Sequence, residues 1–269
     1  MRPEIVSRSG KAGATAYSVA GEGEALVLVH GVGMAREIWA PQVEALARDF
    51  QVISYDMLGH GQSDVPPEGV SLADYAEQLR ALLDHLGIAA ANVVGHSMGA
   101  LVALEFALAW PARTLRVAAL NGVFERTPEQ SAAVLARAAA LQAEGAAATV
   151  EPTLERWFGK PVPPPLQQAA AVTARLLGSV NPLGYARTYQ LFAQSDRAHA
   201  ERLQGLAVPA LFMTAQFDHN SSPAMSAAMA RLAPNAQLQV LADARHMMTV
   251  THPQQVNDAL RGFLAGARG

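Results

Sequence analysis

The sequence predicts an α/β fold in which a mostly parallel sheet is flanked by helices. Short apolar runs of strand length alternate with segments of helical periodicity, a pattern typical of βα units. From about residue 123 to 206 the alternation stops, and helical patterns and prolines occur without a clear strand. We therefore expect a core formed by residues 1–122 and 207–269, with residues 123–206 as a helical insertion.

Composition excludes several classes of protein. The 269 residues are 51% hydrophobic and 16% charged, which favours a large buried core over disorder. The net charge of −3 supplies no basic field for nucleic acid. The chain has no cysteine, which excludes disulfides and a cysteine nucleophile. No metal-binding motif or phosphate-binding glycine loop occurs, so we expect neither a metal nor a cofactor.

We expect neither a secretory signal nor a membrane span. Its first 11 residues, MRPEIVSRSGK, contain no apolar stretch of the kind found in secretory signals. The apolar window 87–110 contains Asn92, His96, Ser97 and Glu105, so it indicates a buried strand and helix better than a membrane span. We expect a cytoplasmic protein with a small-molecule substrate. The oligomeric state stays open, and a homodimer is one alternative.

The elements before the insertion follow from short apolar runs and from apolar residues spaced three or four apart. Ser71 has the character of an N-cap, and Gly87 ends the helix that follows it. In chain order the expected elements are strand 25–29, helix 36–48, strand 51–55, helix 72–86, strand 92–95, helix 98–109 and strand 115–120.

In the insertion, the alanine-rich segment 132–148 and the segments 166–177 and 183–195 have helical character. Prolines at 161 and 163–165 separate the first segment from the second. The strand pattern returns afterwards. The elements expected there are strands 209–214 and 237–241 and helices 222–233 and 252–265.

The strongest motif is Gly95-His96-Ser97-Met98-Gly99, a G-x-S-x-G between a predicted strand and a predicted helix. In such a sharp turn the side chains two residues before and after the serine would collide, so glycine is needed at both positions. The turn exposes the serine hydroxyl and places the Met98 N–H at a helix start, where developing negative charge is stabilised. The motif predicts that Ser97 is a nucleophile.

Four segments together resemble the α/β-hydrolases of the capped, lipase- and esterase-related type. They are His30-Gly31-Val32-Gly33, Asp56-Met57-Leu58-Gly59-His60-Gly61-Gln62-Ser63, Gly95 to Gly99, and the pair Asp218 and His246. The resemblance spans nearly the whole chain and is weakest in the insertion. It implies an eight-stranded, mostly parallel sheet flanked by helices, with the insertion as a helical cap.

A serine hydroxyl needs a base, and the chain order expected for this fold is Ser, then Asp or Glu, then His. His246 follows the last predicted strand and matches the family position of the base. Asp218 follows strand 209–214 and would orient the imidazole. Some relatives place the acid after the preceding strand, where this chain has Asn121, and Asp243 is a local rival.

The oxyanion hole needs two N–H donors near the developing charge. Met98 would supply one, and by resemblance Val32 supplies the other from the loop after His30-Gly31. His30 and His60 belong to loops of the family in which they hold geometry and do not transfer protons.

Specificity should lie in the insertion and the loops around it. Arg187 and Arg197, or Arg245 beside the base, could clamp a substrate carboxylate. The aromatic residues of the insertion suggest an apolar lid over a small to medium, partly hydrophobic substrate. The candidate pocket residues are Met34, His96, Phe124, Trp157, Arg187, Tyr189, Phe192 and Met247.

These residues predict hydrolysis of an ester, lactone or amide through an acyl-enzyme on Ser97. Relatives that cleave carbon–carbon bonds often carry asparagine before the serine and an aromatic residue after the histidine, whereas this chain has His96 and Met247. Both differences favour the ester, lactone or amide reaction. A carbon–carbon bond hydrolase, a cofactor-free perhydrolase and a ligand receptor with slow turnover remain alternatives.

Overall fold

Eight strands form one sheet in the order β1-β2-β4-β3-β5-β6-β7-β8. The computed structural model describes residues 7–266. The start of the chain, where no secretory signal is expected, lies partly outside that range. β2 is antiparallel to both β1 and β4, and all other neighbours are parallel. The strands are β1 (Ser7–Ala12), β2 (Thr15–Ala20), β3 (Glu24–Val29), β4 (Phe50–Tyr55), β5 (Ala91–His96), β6 (Thr114–Leu120), β7 (Ala210–Ala215) and β8 (Ala236–Leu241).

Ten α-helices occur in the described part of the chain, and four of them lie between β6 and β7. The α/β class and the mostly parallel eight-stranded sheet expected for an α/β-hydrolase fold are confirmed. The helices are α1 (Ala40–Leu46), α2 (Leu72–His85), α3 (Met98–Ala109), α4 (Pro128–Glu144), α5 (Ala146–Phe158), α6 (Gln167–Ser179), α7 (Pro182–Gln194), α8 (Pro223–Leu232), α9 (Met248–Thr251) and α10 (Pro253–Leu264).

Three features of the sheet and the insertion differ from the sequence prediction. β1 and β2 were not expected, and β1 is an exposed edge strand of sequence SRSGKA, which contains no apolar run. The single helix expected over 132–148 is two helices, since Gly145 has φ 82° and ends α4. α4 also begins earlier than expected, at a capping box in which the Thr127 side chain and Gln130 bond reciprocally.

The apolar window of the sequence is the buried strand β5 followed by the buried helix α3. α3 packs on β5 and β6 and on α2, so it is apolar on all sides. α2 begins at Ser71, whose hydroxyl accepts the Asp74 N–H in a capping box. Within residues 7–266, no helix combines the length and apolar composition needed to cross a membrane.

The inserted helices pack on one another and on the loops at the carboxyl edge of the sheet. α4 packs on α7 and α5 packs on α6. The backbone of Gly184 in α7 approaches that of Gly59 so closely that a Cβ on Gly59 would lie 2.7 Å from the Gly184 Cα. A 2.7 Å hydrogen bond joins Tyr75 to Thr188 beside this contact. These contacts seat α7 against the core.

Candidate active site

The turn at Ser97 connects β5 to α3 through strained backbone angles, φ 57° and ψ −118°. A Cβ on Gly95 would lie 1.9 Å from the carbonyl oxygen of Gly99, so glycine is required there. At Gly99 the obstacle is different from the one expected, because its Cβ would meet the Val29 carbonyl of β3 at 2.2 Å. Both glycines therefore allow the turn, one within itself and one against the neighbouring strand.

Ser97, His246 and Asp218 lie beyond the carboxyl ends of β5, β8 and β7, which share one edge of the sheet. The Ser97 hydroxyl lies 3.2 Å from Nε2 of His246. The His246 Nδ1–H donates to Oδ2 of Asp218 at 2.8 Å. The three residues are 3–4% exposed. The arrangement can carry a proton from the serine to the imidazole and stabilise the resulting charge.

Asp218 is held in its charged form by its neighbours. Burial alone raises the pKa of this carboxyl group, but the electrostatic interaction with the His246 ring and three hydrogen bonds outweigh burial and lower the pKa below its ordinary value. The donors are the His246 ring, the Asn121 amide at 2.7 Å and the Asn220 N–H at 2.8 Å. The local rival Asp243 is exposed and has no hydrogen bond to His246.

His96 holds the segment that carries His246. Its Nε2–H donates to the carbonyl oxygen of His246 at 2.8 Å, and the two ring centroids are 5.0 Å apart. Burial, together with the charge of His246, lowers the pKa of His96 to about 3. A neutral ring with its proton on Nε2 is the form that this hydrogen bond requires.

The loop that contains Val32 lies against Ser97. A Cβ on Gly31 would lie 3.1 Å from the Ser97 Cβ, so glycine at this position favours the close approach of the loop. Among the described residues, the Val32 N–H has no hydrogen-bond acceptor. The Met98 N–H is the first of α3 and belongs to the group that lacks an intrahelical partner. Both groups can therefore donate to a ligand.

Two buried histidines hold this loop and the one after β4. His60 accepts the Gly33 N–H at 2.9 Å, and His30 accepts the Met57 N–H at 3.0 Å. Burial lowers the pKa of His30 to about 4 and the pKa of His60 to about 3, so both are neutral acceptors at pH 7. Their hydrogen bonds agree with the loop-holding role that the resemblance implies.

A cavity of about 220 Å³ opens at Ser97 and His246. Of the eight pocket residues expected from the sequence, Trp157, Tyr189 and Phe192 line it, together with Val32. The Trp157 ring packs on the His246 ring with centroids 5.2 Å apart. Within residues 7–266, no cluster of three or more His, Asp or Glu side chains is arranged to hold a metal ion.

Five expected pocket residues do not line this cavity. Met34, Phe124 and Met247 are buried in the hydrophobic core, and His96 is occupied with the carbonyl of His246. Arg187 donates to the carbonyl oxygen of Pro66 at 2.6 Å.

The position of Arg187 has a simple helical cause. It precedes Tyr189 by two residues, which turns it about 200° around the helix from the cavity-lining face. Arg197, the other clamp candidate in the insertion, pairs with Glu125 at 3.0 Å, and its side chain is 70% exposed. His199, also in the insertion, is buried, and its Nε2 lies 3.0 Å from Oε2 of Glu105.

The cavity contains polar residues that the sequence analysis missed, above all three arginines. Arg126 precedes α4, Arg137 lies on α4 and Arg156 lies on α5. For Arg137 the sequence did contain a signal. It is the one arginine of the alanine-rich segment 132–148, and its spacing places it on the same helix face as Ala133 and Ala140. The other missed lining residues are Gln130, Ala133, His219 and Asn220.

The fold and this arrangement define the α/β-hydrolase class. Residues 24–253 match the family described as alpha/beta hydrolase fold, and the chain belongs to that family. It is 38% identical over 249 residues to an (E)-2-((N-methylformamido)methylene)succinate hydrolase of Acinetobacter baylyi, covering 92% of this chain and 93% of the relative. Several other relatives are also hydrolases by name.

One of these is 3-oxoadipate enol-lactonase 1 of Acinetobacter baylyi, which is 29% identical over 260 residues, with 97% of this chain and 96% of the relative covered. The crystal structure of the enol-lactonase from Burkholderia xenovorans LB400 superposes with a TM-score of 0.88 at 27% identity. That match covers 96% of this chain and 100% of the other. The chain is thus similar to hydrolases of two named kinds.

Proposed function

We propose that this protein is a serine hydrolase that cleaves an ester, lactone or amide bond in a small, partly hydrophobic molecule. The proposal is supported above all by the hydrogen-bonded series Ser97, His246 and Asp218 at the wall of a cavity. We also infer that residues 123–206 act as the cap of this site, because Trp157, Tyr189 and Phe192 line the cavity from the insertion.

In the first half-reaction, the Ser97 oxygen attacks the substrate carbonyl while Nε2 of His246 takes the hydroxyl proton. The carbonyl oxygen becomes an oxyanion, which the N–H groups of Val32 and Met98 stabilise. Asp218 keeps the proton of the imidazole on Nδ1 and stabilises its positive charge. Collapse breaks the bond to the leaving group, which takes the proton from Nε2 and leaves an acyl ester on Ser97.

In the second half-reaction, a water molecule attacks the acyl carbon and gives its proton to His246 Nε2. The same two N–H groups stabilise the second oxyanion. Its collapse releases the carboxylic acid, and the proton returns from Nε2 to the Ser97 oxygen. The cavity of about 220 Å³ has room for a small acyl group next to the Trp157 ring.

The named relatives support this range of bonds. One is named for a succinate that bears an N-methylformamido-methylene group and the other for an enol-lactone. We therefore propose lactones and nitrogen-containing acyl compounds as candidate substrates of this chain. Which of these it prefers depends on the cavity and less on the three reacting side chains.

The test is Ser97→Ala, assayed with 4-nitrophenyl acetate and butyrate and with a set of lactones. We expect kcat/KM to fall about 10⁴-fold or more while the melting temperature stays close to that of the wild type. The matched control is Ser179→Ala, because Ser179 is exposed at the end of α6 and lies off the cavity.

A fluorophosphonate probe provides a second readout. It should add its mass to the wild type and to the Ser179 variant but not to Ser97→Ala. Turnover that survives in Ser97→Ala would overturn the proposal. Binding of esters by the wild type without any turnover would favour the receptor alternative instead.

A further inference from the structure

The three arginines of the cavity differ in how their charge is balanced. Arg126 forms an ion pair with Asp196 and lies over the Phe192 ring, so its charge is already compensated. No carboxylate of residues 7–266 lies within 4 Å of the Arg137 or Arg156 guanidinium. Two positive charges at the site are therefore unpaired.

The hydrogen bonds of these two side chains leave most of their donors unused. Arg137 donates through Nε to the Tyr189 hydroxyl at 3.2 Å. Arg156 donates to the Thr153 hydroxyl at 3.1 Å and to a carbonyl of its own helix at 3.3 Å. The buried Nε–H of Arg156 has no partner. A guanidinium has five N–H donors, and a buried unpaired one is costly unless a ligand satisfies it.

The two arginines also lie close enough to affect each other. Burial lowers the pKa of Arg156, and the positive charge of Arg137 lowers it further. Two like charges at one cavity wall repel, and an anion between them removes that repulsion. Arginine is suited to this task, because its planar fork matches the two oxygens of a carboxylate.

Arg137 and Arg156 form part of the wall of the cavity that opens at Ser97. Together with Tyr189 they also line a second cavity of about 180 Å³, enclosed by α4, α5 and α7. Glu144 lines that second cavity but forms no ion pair with either arginine. A substrate that reaches from Ser97 to this wall would present its distal end to both guanidinium groups.

We propose that Arg137 and Arg156 form an anion subsite that binds a carboxylate of the substrate, at the end of the molecule away from the bond that is cleaved. The inference deepens the proposed function and rests on it. The preferred substrate is then an ester, lactone or amide that carries at least one free carboxylate. Arg126 is not part of the subsite, since Asp196 already holds it.

The test compares matched ester pairs. One member is the 4-nitrophenyl hemiester of succinic, glutaric or adipic acid, and the other is the same ester with its free carboxylate methylated, each corrected for spontaneous hydrolysis. In the wild type we expect kcat/KM to be higher for the hemiester with the free carboxylate than for its methylated counterpart, for at least one of the three acids. Arg137→Gln and Arg156→Gln should each lower that preference on the order of 10- to 100-fold.

The control is Arg197→Gln, a surface arginine of the same insertion whose loss should leave the preference unchanged. An unchanged preference in both cavity variants, or a wild type without preference for the carboxylate, would overturn the subsite. If a variant does not fold, competitive inhibition of the wild type by glutarate and by its monomethyl ester decides. Stronger inhibition by the dianion supports the subsite, and equal inhibition contradicts it.

These outcomes are distinct from failure of the proposed function. Turnover of both esters by Ser97→Ala would refute the serine mechanism and would not support the subsite. An equal decrease of kcat/KM for both esters in the arginine variants would refute the subsite and leave the serine mechanism unaffected.

Discussion

Asn121 donates a 2.7 Å hydrogen bond from Nδ2 to Oδ2 of Asp218, the oxygen that also accepts the His246 Nδ1–H. Asn121 directly follows β6, with φ 51°, and its N–H donates to the Met213 carbonyl of β7. The amide must present its nitrogen to the carboxylate, since its oxygen would be repelled. In some relatives this position carries the acidic partner of the histidine. In this chain it carries Asn121, which donates a hydrogen bond to the acidic residue Asp218.

The first prediction concerns this donor. Asn121→Ala removes one hydrogen bond to a buried carboxylate, so we expect kcat/KM to fall about 10-fold. Asn121→Asp places a second carboxylate beside Asp218, and like charge raises the pKa of the pair. The acid limb of the kcat/KM profile should then move to higher pH, which a pH series from 4 to 9 measures.

Asn235→Ala is the control for both changes, because Asn235 bonds an exposed carbonyl far from the site. It should leave activity and the pH profile as they are in the wild type. Wild-type rates and an unmoved acid limb in both Asn121 variants would contradict the assigned hydrogen bond.

The second prediction concerns the turn at Ser97. In Gly99→Ala, the added Cβ would lie 2.2 Å from the Val29 carbonyl oxygen, so β3 or α3 must move. We expect the free energy of unfolding to fall by at least about 2 kcal/mol.

Gly178→Ala is the matched change, since Gly178 lies in α6 with open space around its Cβ position. It should raise that free energy by up to about 1 kcal/mol, measured by urea denaturation. Equal effects of the two substitutions would refute the steric argument.

The third prediction concerns pH and stability. Burial lowers the pKa of His30 to about 4 and the pKa values of His60 and His96 to about 3, below the 6.5 of an unfolded histidine. Between these values the unfolded chain binds more protons, so stability is lost as pH falls from about 6.5. From pH 7 to pH 5 we expect a loss of about 2 kcal/mol for each of the three.

Urea denaturation at pH 5, 6 and 7 measures this loss, and potentiometric titration should show proton uptake on unfolding at pH 5. A free energy of unfolding that stays constant between pH 5 and 7 would show that these rings are not held neutral.

Local patterns in the sequence were sufficient for the core of the fold. The alternation of apolar strands and helices predicted β3 to β8. β3 and β7 are continuous apolar runs because both of their faces are buried, whereas the edge strand β8 is mostly exposed. β1 was missed because its residues are exposed and polar. The division into α4 and α5 was missed because an alanine-rich segment has high helix propensity on both sides of Gly145.

The sequence predicted Ser97 from the glycines of a sharp turn, and it predicted Asp218 and His246 from their places after two strands and from the resemblance to the family. The structure brings the three side chains within hydrogen-bonding distance. The sequence could not identify the arginines at the cavity or the role of Asn121. Which side of α4 or α7 faces Ser97 depends on how the inserted helices pack on the core, through contacts such as Gly59 with Gly184. Packing between segments more than 100 residues apart leaves no local pattern, and it turned Arg137 and Arg156 towards the cavity at Ser97 and Arg187 away from it.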